Sequence, residues 1–230
     1  MRLIEKEEQG NVLFLGIVDG KFTQKVKQGT PGATYRLYVD ATGTEYHIYE
    51  IIYKNLTGFI INMKVIDGKY GQQLMVEIEN NGEKAKLYIN VATGYFSAFV
   101  KRLPNVDLTQ EVVLNPYSFT ANNGSNLKGI TIYQEGSKLN NYYYDPIKKK
   151  HINLPETSKP WAELTDLERK AYYALQTQYL VESVEILAQK IPVHTKQQEA
   201  YDHIDNMGKT DKPVTSDTLF GEQDPGQPEL

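Results

Sequence analysis

Between Phe59 and Val91 the chain alternates apolar and polar residues in three successive runs, each separated from the next by a turn signal. Phe59, Ile61, Met63 and Val65 oppose Ile60, Asn62 and Lys64, and the run stops at Asp67-Gly68-Lys69-Tyr70-Gly71. Leu74, Val76 and Ile78 then alternate with Met75, Glu77 and Glu79. Asn80-Asn81-Gly82 turns the chain, and Lys84 to Val91 returns. A period of two sends successive side chains to opposite faces of a strand, so this stretch predicts a three-stranded antiparallel meander.

The β pattern extends in both directions. Val12 to Val18 reads as a strand broken at Asp19-Gly20, and Lys21 to Lys27 leads into a Gly29-Thr30-Pro31-Gly32 loop. Tyr35 to Val39 and Glu45 to Tyr53 flank Asp40-Ala41-Thr42-Gly43-Thr44, the punctuation of a hairpin. From Thr93 the period changes. Tyr95, Phe99 and Arg102 or Leu103 fall on one side at helical spacing and Pro104 ends the segment, which predicts a short helix between strands. Strands are expected again at 111–114, 129–134 and 139–144. The Asn122-Asn123-Gly124-Ser125-Asn126 loop and Glu135-Gly136 separate them.

Beyond Leu154-Pro155 the character is helical. Thr165-Asp166-Leu167-Glu168 has the spacing of a capping box. Leu167, Ala171, Ala174, Gln178, Val181, Val184, Ala188 and Ile191 mark one face of a long helix that ends at Pro192. Whether that helix packs on the β domain or mediates self-association is open from the sequence. Past Ile204 little remains to bury, which predicts disorder. The expected organisation is an OB-like β domain over 10–154, a helical extension over 155–192 and an acidic tail over 193–230. The fold class is mostly β. A small antiparallel domain with one helix inserted between strands points to a Greek-key barrel of the OB type, with a β-sandwich as the competitor.

Composition narrows the function. No apolar run is long enough to span a membrane, and the acidic start Glu5-Lys6-Glu7-Glu8 does not resemble a secretion signal, so a cytosolic protein is expected. The absence of cysteine removes disulfides, thiolate metal sites and thiol nucleophiles. Phosphate-loop, dinucleotide-binding and zinc-protease motifs are missing. His47, His151, His194 and His203 lie at no short metal-ligand spacing, and Glu77 and Glu79 share a strand face as a pair of solvated acids. Neither catalysis, nor a metal, nor a cofactor is expected.

Charge is unevenly spread. Residues 1–154 hold 18 Lys and Arg against 15 Asp and Glu, a net of +3. Residues 155–230 hold 7 against 14, a net of −7. The folded part is therefore basic, and 13 of the 17 tyrosines also lie before residue 155. Cations and tyrosines interleave there: Lys21, Lys25 and Lys27 precede Tyr35, Arg36 and Tyr38, and Lys54 follows Tyr49 and Tyr53. Lys69 and Tyr70 share a turn, Lys128 lies near Tyr133, and Lys138 precedes Tyr143. Single-stranded nucleic acid needs both parts, cations against phosphate and flat rings on which unpaired bases stack. The bland reading is that the tyrosines are core or edge residues and the lysines solubilise.

Several blocks resemble phage-encoded single-stranded DNA-binding proteins, including those of crAss-like and related gut phages. They are Tyr95-Phe96-Ser97-Ala98-Phe99, Leu103-Pro104-Asn105-Val106-Asp107-Leu108 and Pro116-Tyr117-Ser118-Phe119, together with Lys128 to Lys138 and Gly29-Thr30-Pro31-Gly32-Ala33. The resemblance covers residues 10–150. It implies an OB-fold protein in the cytoplasm of the bacterial host that coats single-stranded DNA during replication or recombination. It also implies an acidic tail for replication proteins; within this chain's tail, the apolar pair Leu219-Phe220 amid acids is the expected docking anchor. Many such proteins end in a terminal phenylalanine, whereas this chain ends Gln227-Pro228-Glu229-Leu230. The alternative function is a structural or adaptor protein that docks to virion or complex subunits and binds no nucleic acid.

Overall fold

The computed structural model describes residues 12–40, 42–122, 124–157 and 159–192. The tail expected over 193–230, with Leu219 and Phe220, lies outside them. Ten strands join one sheet: β1 (Val12–Val18), β2 (Lys21–Lys25), β3 (Thr34–Val39), β4 (Glu45–Tyr53), β5 (Leu56–Gly68), β6 (Gly71–Asn80), β7 (Glu83–Asn90), β8 (Val112–Thr120), β9 (Asn126–Gln134) and β10 (Ser137–Lys138). Helix α1 (Gly94–Val100) separates β7 from β8. A two-stranded ribbon, β11 (Tyr144–Asp145) with β12 (Lys150–His151), precedes helix α2 (Asp166–Ala188). The protein is mostly β, as the alternation predicts. Among the described residues no helix is long and apolar enough to cross a membrane.

The spatial order is β10-β9-β8-β5-β6-β7-β1-β2-β4-β3. The expected meander is the β5-β6-β7 core of this sheet, with Met63 opposite Val76 and Val76 opposite Leu87. Inward residues Ile60, Met63, Leu74, Val76, Ile78, Leu87 and Ile89 are all buried. Burial of each such side chain contributes about 1.5–3 kcal/mol, so the seven together contribute about 10–20 kcal/mol.

β5 pairs with β8 over Leu56–Gly58 and with β6 from Phe59 onward, and the register slips between Ile60 and Asn62. Gly58 makes the bend possible. Its φ is +151°, and a Cβ there would sit 2.5 Å from the Glu79 carbonyl oxygen. At the other side of the core the Asp19-Gly20 turn, both residues with positive φ, lies so close to the β8 backbone at Tyr117 and Ser118 that no Cβ fits at Gly20. The Gly20 amide donates to Tyr95 Oη at 2.8 Å, tying that turn to α1.

The sheet does not close into the expected barrel. The outer edge of β7 is taken by β1, which pairs with it in parallel from Val12 opposite Lys84 to Leu15 opposite Leu87. β2, β4 and β3 then extend the sheet further. Sequence alternation carries no sign of this long-range parallel pairing.

Helix α1 forms where the period changes, and it buries Tyr95, Phe96, Phe99 and Val100. A 3-10 turn at Leu103–Asn105, with Pro104 near its start, follows it. The late strands differ from expectation. The run expected at 111–114 continues to Thr120, the run at 129–134 begins at Asn126, and 139–144 is mostly loop.

Helix α2 opens on the predicted capping box: the Thr165 side chain accepts from the Glu168 amide while Glu168 accepts from the Thr165 amide. It packs against β5 and α1. Its buried residues are Gln176, Leu180 and Val184, with Val181, Ala188 and Ile191 partly covered. The first half of the expected face is wrong, because Leu167, Ala171, Ala174 and Gln178 are exposed. That half leans instead on Trp161, whose ring meets Tyr172 and Tyr173 edge-on at 5.8 and 5.5 Å.

Candidate nucleic-acid interface

Cross-strand register assigns every side chain of the sheet to one of two faces. Leu13, Leu15 and Ile17 of β1 point to the core, so Phe14, Gly16 and Val18 share the other face. Through Phe14 opposite Lys86, that face carries Lys84, Lys86, Tyr88 and Asn90 of β7. On the far side it carries Thr23 and Lys25 of β2, Glu50 of β4, and Arg36 and Tyr38 of β3.

A groove of about 710 Å³ opens on this face. Phe14, Thr23, Lys25, Arg36, Glu50, Gln73, Tyr88 and Asn90 line it along the strands, and Asp19, Thr93, Tyr95 and Lys128 line its end. Phe14 is 58% exposed, an unusual state for a phenylalanine in a central strand.

The charges in the groove are not equivalent. Glu50 is buried, and its two oxygens accept from Arg36 Nε at 3.1 Å and from Arg36 NH2 at 3.2 Å. Arg36 and Glu50 neutralise each other, which leaves Lys25 and Lys128 to outweigh Asp19. Lys86, beside Phe14, holds Glu77 at 3.0 Å; that hydrogen bond and the adjacent negative charge raise its pKa above the usual lysine value. Lys84 pairs with Glu79 at 3.6 Å. Glu77 and Glu79 are therefore lysine partners, and among the described residues no group of three metal-ligating side chains forms.

Of the residues singled out from sequence, Lys25, Arg36 and Lys128 line the groove. Tyr38 shares the face of Arg36, lies opposite Tyr46 and is half-exposed. Lys21 is exposed at the start of β2 and Lys27 two residues beyond its end. Tyr35 is exposed on the opposite face, edge-on to His47 at 4.9 Å and near Tyr49. Tyr53 is half-buried against the core, and its hydroxyl donates to Gln24 Oε1 at 2.9 Å. Lys54 is exposed between β4 and β5.

Lys69 and Tyr70 sit in the β5–β6 turn. The Lys69 ammonium lies 5.3 Å from the centre of the Tyr70 ring, which is 79% exposed. Tyr70 borders a second depression that contains Gln72, Asn90, Thr177 and Gln178, and Asn90 lines both depressions. Tyr133 lies apart, in a hollow with Phe59, Glu111 and Glu135. Lys138 is exposed on the short strand β10.

Tyr143 is a correction. It is buried among the core residues, meets Tyr179 of α2 edge-on at 6.1 Å, and its hydroxyl faces Ser183 at 3.5 Å. Burial pushes its pKa up. It anchors α2 and offers no surface to a base.

Phe14 and Tyr88 are not among the residues that cation–tyrosine interleaving singles out. For Tyr88 the signal exists, since alternation from Lys84 and Lys86 puts it on the lysine face. For Phe14 the signal is weak, because Val12–Val18 is apolar at almost every position and the outward residue does not stand out. Comparison with family models, with curated proteins and with solved structures returns no match to this chain.

Proposed function

We propose that the protein binds single-stranded DNA in the Phe14–Tyr88 groove, with Lys25 and Lys128 against phosphate and the two rings as stacking surfaces. The observation that carries this is the exposed Phe14 ring beside uncommitted lysines in a groove open along the sheet. Stacking on an aromatic side chain contributes about 1–3 kcal/mol per base, and phosphate neutralisation adds a salt-dependent term.

The connectivity of the central strands supports the same proposal. β5, β6 and β7, then α1, then β8 and β9 lie in the order β9-β8-β5-β6-β7, with one long bent strand shared by its second and fourth partners. We read this as an OB-type unit whose closing edge is occupied by β1. In such a fold, oligonucleotides bind on the second and third strands and on the loops after the first and fourth. Here these are β6 and β7, the Lys69–Tyr70 turn, and the loop that leads to Lys128. The phage single-stranded DNA-binding proteins that the sequence resembles would use this arrangement to coat DNA during replication or recombination.

A structural or adaptor role without nucleic acid is the second reading. It draws on Leu167, Leu175 and Ile186, which α2 leaves exposed. Fluorescence titration of the protein with oligo-dT and with a duplex of equal length, across a salt series, separates the two. DNA coating predicts tight oligo-dT binding that weakens as salt rises, and weak duplex binding. No oligo-dT binding at about 50 mM salt removes it.

A further inference from the structure

The two ends of the ten-stranded sheet are built differently. At one end β10 has two residues, Ser137 and Lys138, both polar. A short edge carrying a lysine discourages strand addition. At the other end β3 has six residues, and among the described residues only β4 pairs with it. It contains no proline, glycine or lysine. Its one charge, Arg36, is folded back onto Glu50. Tyr35, Leu37, Tyr38 and Val39 are exposed by 65, 51, 46 and 52%, on both faces of the strand. A long apolar edge with a free row of backbone donors and acceptors is a template for another strand, and none of the usual devices guards it.

We propose that β3 is the contact between two copies of this chain, which pair antiparallel about a two-fold axis through Leu37. The strand is its own best complement. With Leu37 opposite Leu37 of the second copy, Tyr35 faces Val39 twice and Arg36 faces Tyr38 twice. Aromatic residues against β-branched ones are favourable cross-strand pairs. Sliding the axis to Arg36 would set like charges directly opposite and destabilise the pair. An isologous contact of this kind closes after two copies. A six-residue edge pair buries an area at the low end for specific interfaces, under about 1,200 Å², so a dissociation constant of roughly 1–100 µM is expected. This proposal is independent of the nucleic-acid reading.

The chain has no cysteine, which allows a direct test. Residues opposite each other in an antiparallel pair have Cα atoms about 4.5–5.5 Å apart, within reach of a disulfide. Under mild oxidation Leu37→Cys should form a covalent dimer. Val39→Cys alone should not, because its own copy lies about 13 Å away at four residues of strand rise. Tyr35→Cys with Val39→Cys should again form one. In sedimentation velocity from about 5 to 200 µM, a range set around the expected affinity, the unmodified chain should shift from monomer to dimer. Leu37→Lys and Val39→Lys, both at exposed positions, should each weaken the dimer at least tenfold, and Ile186→Lys on α2 should leave it unchanged. A chain that stays monomeric throughout overturns the proposal. So does a dimer that survives both lysine substitutions, one lost with Ile186→Lys, or crosslinking that is equal at 37 and 39.

Discussion

Replacing Arg36 by Ala strands the Glu50 carboxylate, and the loss should exceed that from neutralising the carboxylate itself. The Glu50 side chain is 5% exposed and both its oxygens are held by one guanidinium, whereas the Arg36 side chain is 35% exposed. Removing one member of a fully buried pair costs about 3–5 kcal/mol because the other is left charged and dry. Water reaches the Arg36 side of this pair, so about 2 kcal/mol is expected for Arg36→Ala. Glu50→Gln leaves a guanidinium that can hydrate, and about 1 kcal/mol is expected. The double variant should lose less than the sum of the two, since it strands neither charge. Urea denaturation followed by far-ultraviolet circular dichroism gives the three values. At a slope of about 2 kcal/mol per molar, Arg36→Ala should lower the midpoint by about 1 M. An Arg36→Ala variant within about 0.5 kcal/mol of the parent, or strictly additive single losses, would refute this account of the pair.

Three further outcomes follow from the geometry. Phe14→Ala should weaken oligo-dT binding by about 1–3 kcal/mol, roughly 5- to 150-fold, while the urea midpoint stays nearly unchanged because the ring is already more than half exposed. The Glu168 carboxylate is lowered from 4.5 to about 2, first by the Thr165 amide and then by Lys159 and the Thr165 hydroxyl. Its contribution is thus complete above pH 4.5 and lost as pH falls toward 2, and amide exchange at the start of α2 should speed up over that interval in the parent but not in Glu168→Gln, which has no carboxylate to titrate. Burial lowers the pKa of Lys101 below 10.5, so its charge opposes folding at neutral pH and this cost fades as pH rises to 10.5. Lys101→Met should therefore raise the melting temperature at pH 7, by a margin that shrinks toward pH 10.5.

What could be read in advance was local. The β5-β6-β7 meander follows from strict alternation, α1 from the change of period at Tyr95 and Phe99, and the start of α2 from Thr165 and Glu168, three residues apart. Each signal lies within a dozen residues. What escaped was long-range. The parallel seating of β1 on β7 joins residues 12–15 to 84–87, and it converts an expected closed barrel into an open sheet with a groove. The same distance limit explains the aromatics. Tyr142-Tyr143-Tyr144 has no polar alternation to say which ring is covered, and only the arrival of α2 buries the middle one. Phe14 is exposed because period two turns it to the face opposite Leu13 and Leu15, which the apolar run around it conceals. For α2, which packs on β5 and α1, Leu180 and Val184 are buried while Leu167 is exposed, and helical spacing alone cannot tell which turns reach the core.

Photo-crosslinking tests the groove most directly. An oligo-dT in which thymines are replaced by iodinated uracil is bound, irradiated, and the protein digested to locate the adducts. Stacked halogenated bases couple to the ring they touch, so adducts should concentrate on Phe14 and Tyr88, within Val12–Val18 and Glu83–Asn90. Excess unlabelled oligo-dT should suppress them and duplex should not. Adducts confined to Trp161, Tyr173 or the outer face at Tyr35, with none on Phe14 or Tyr88, would contradict the assignment.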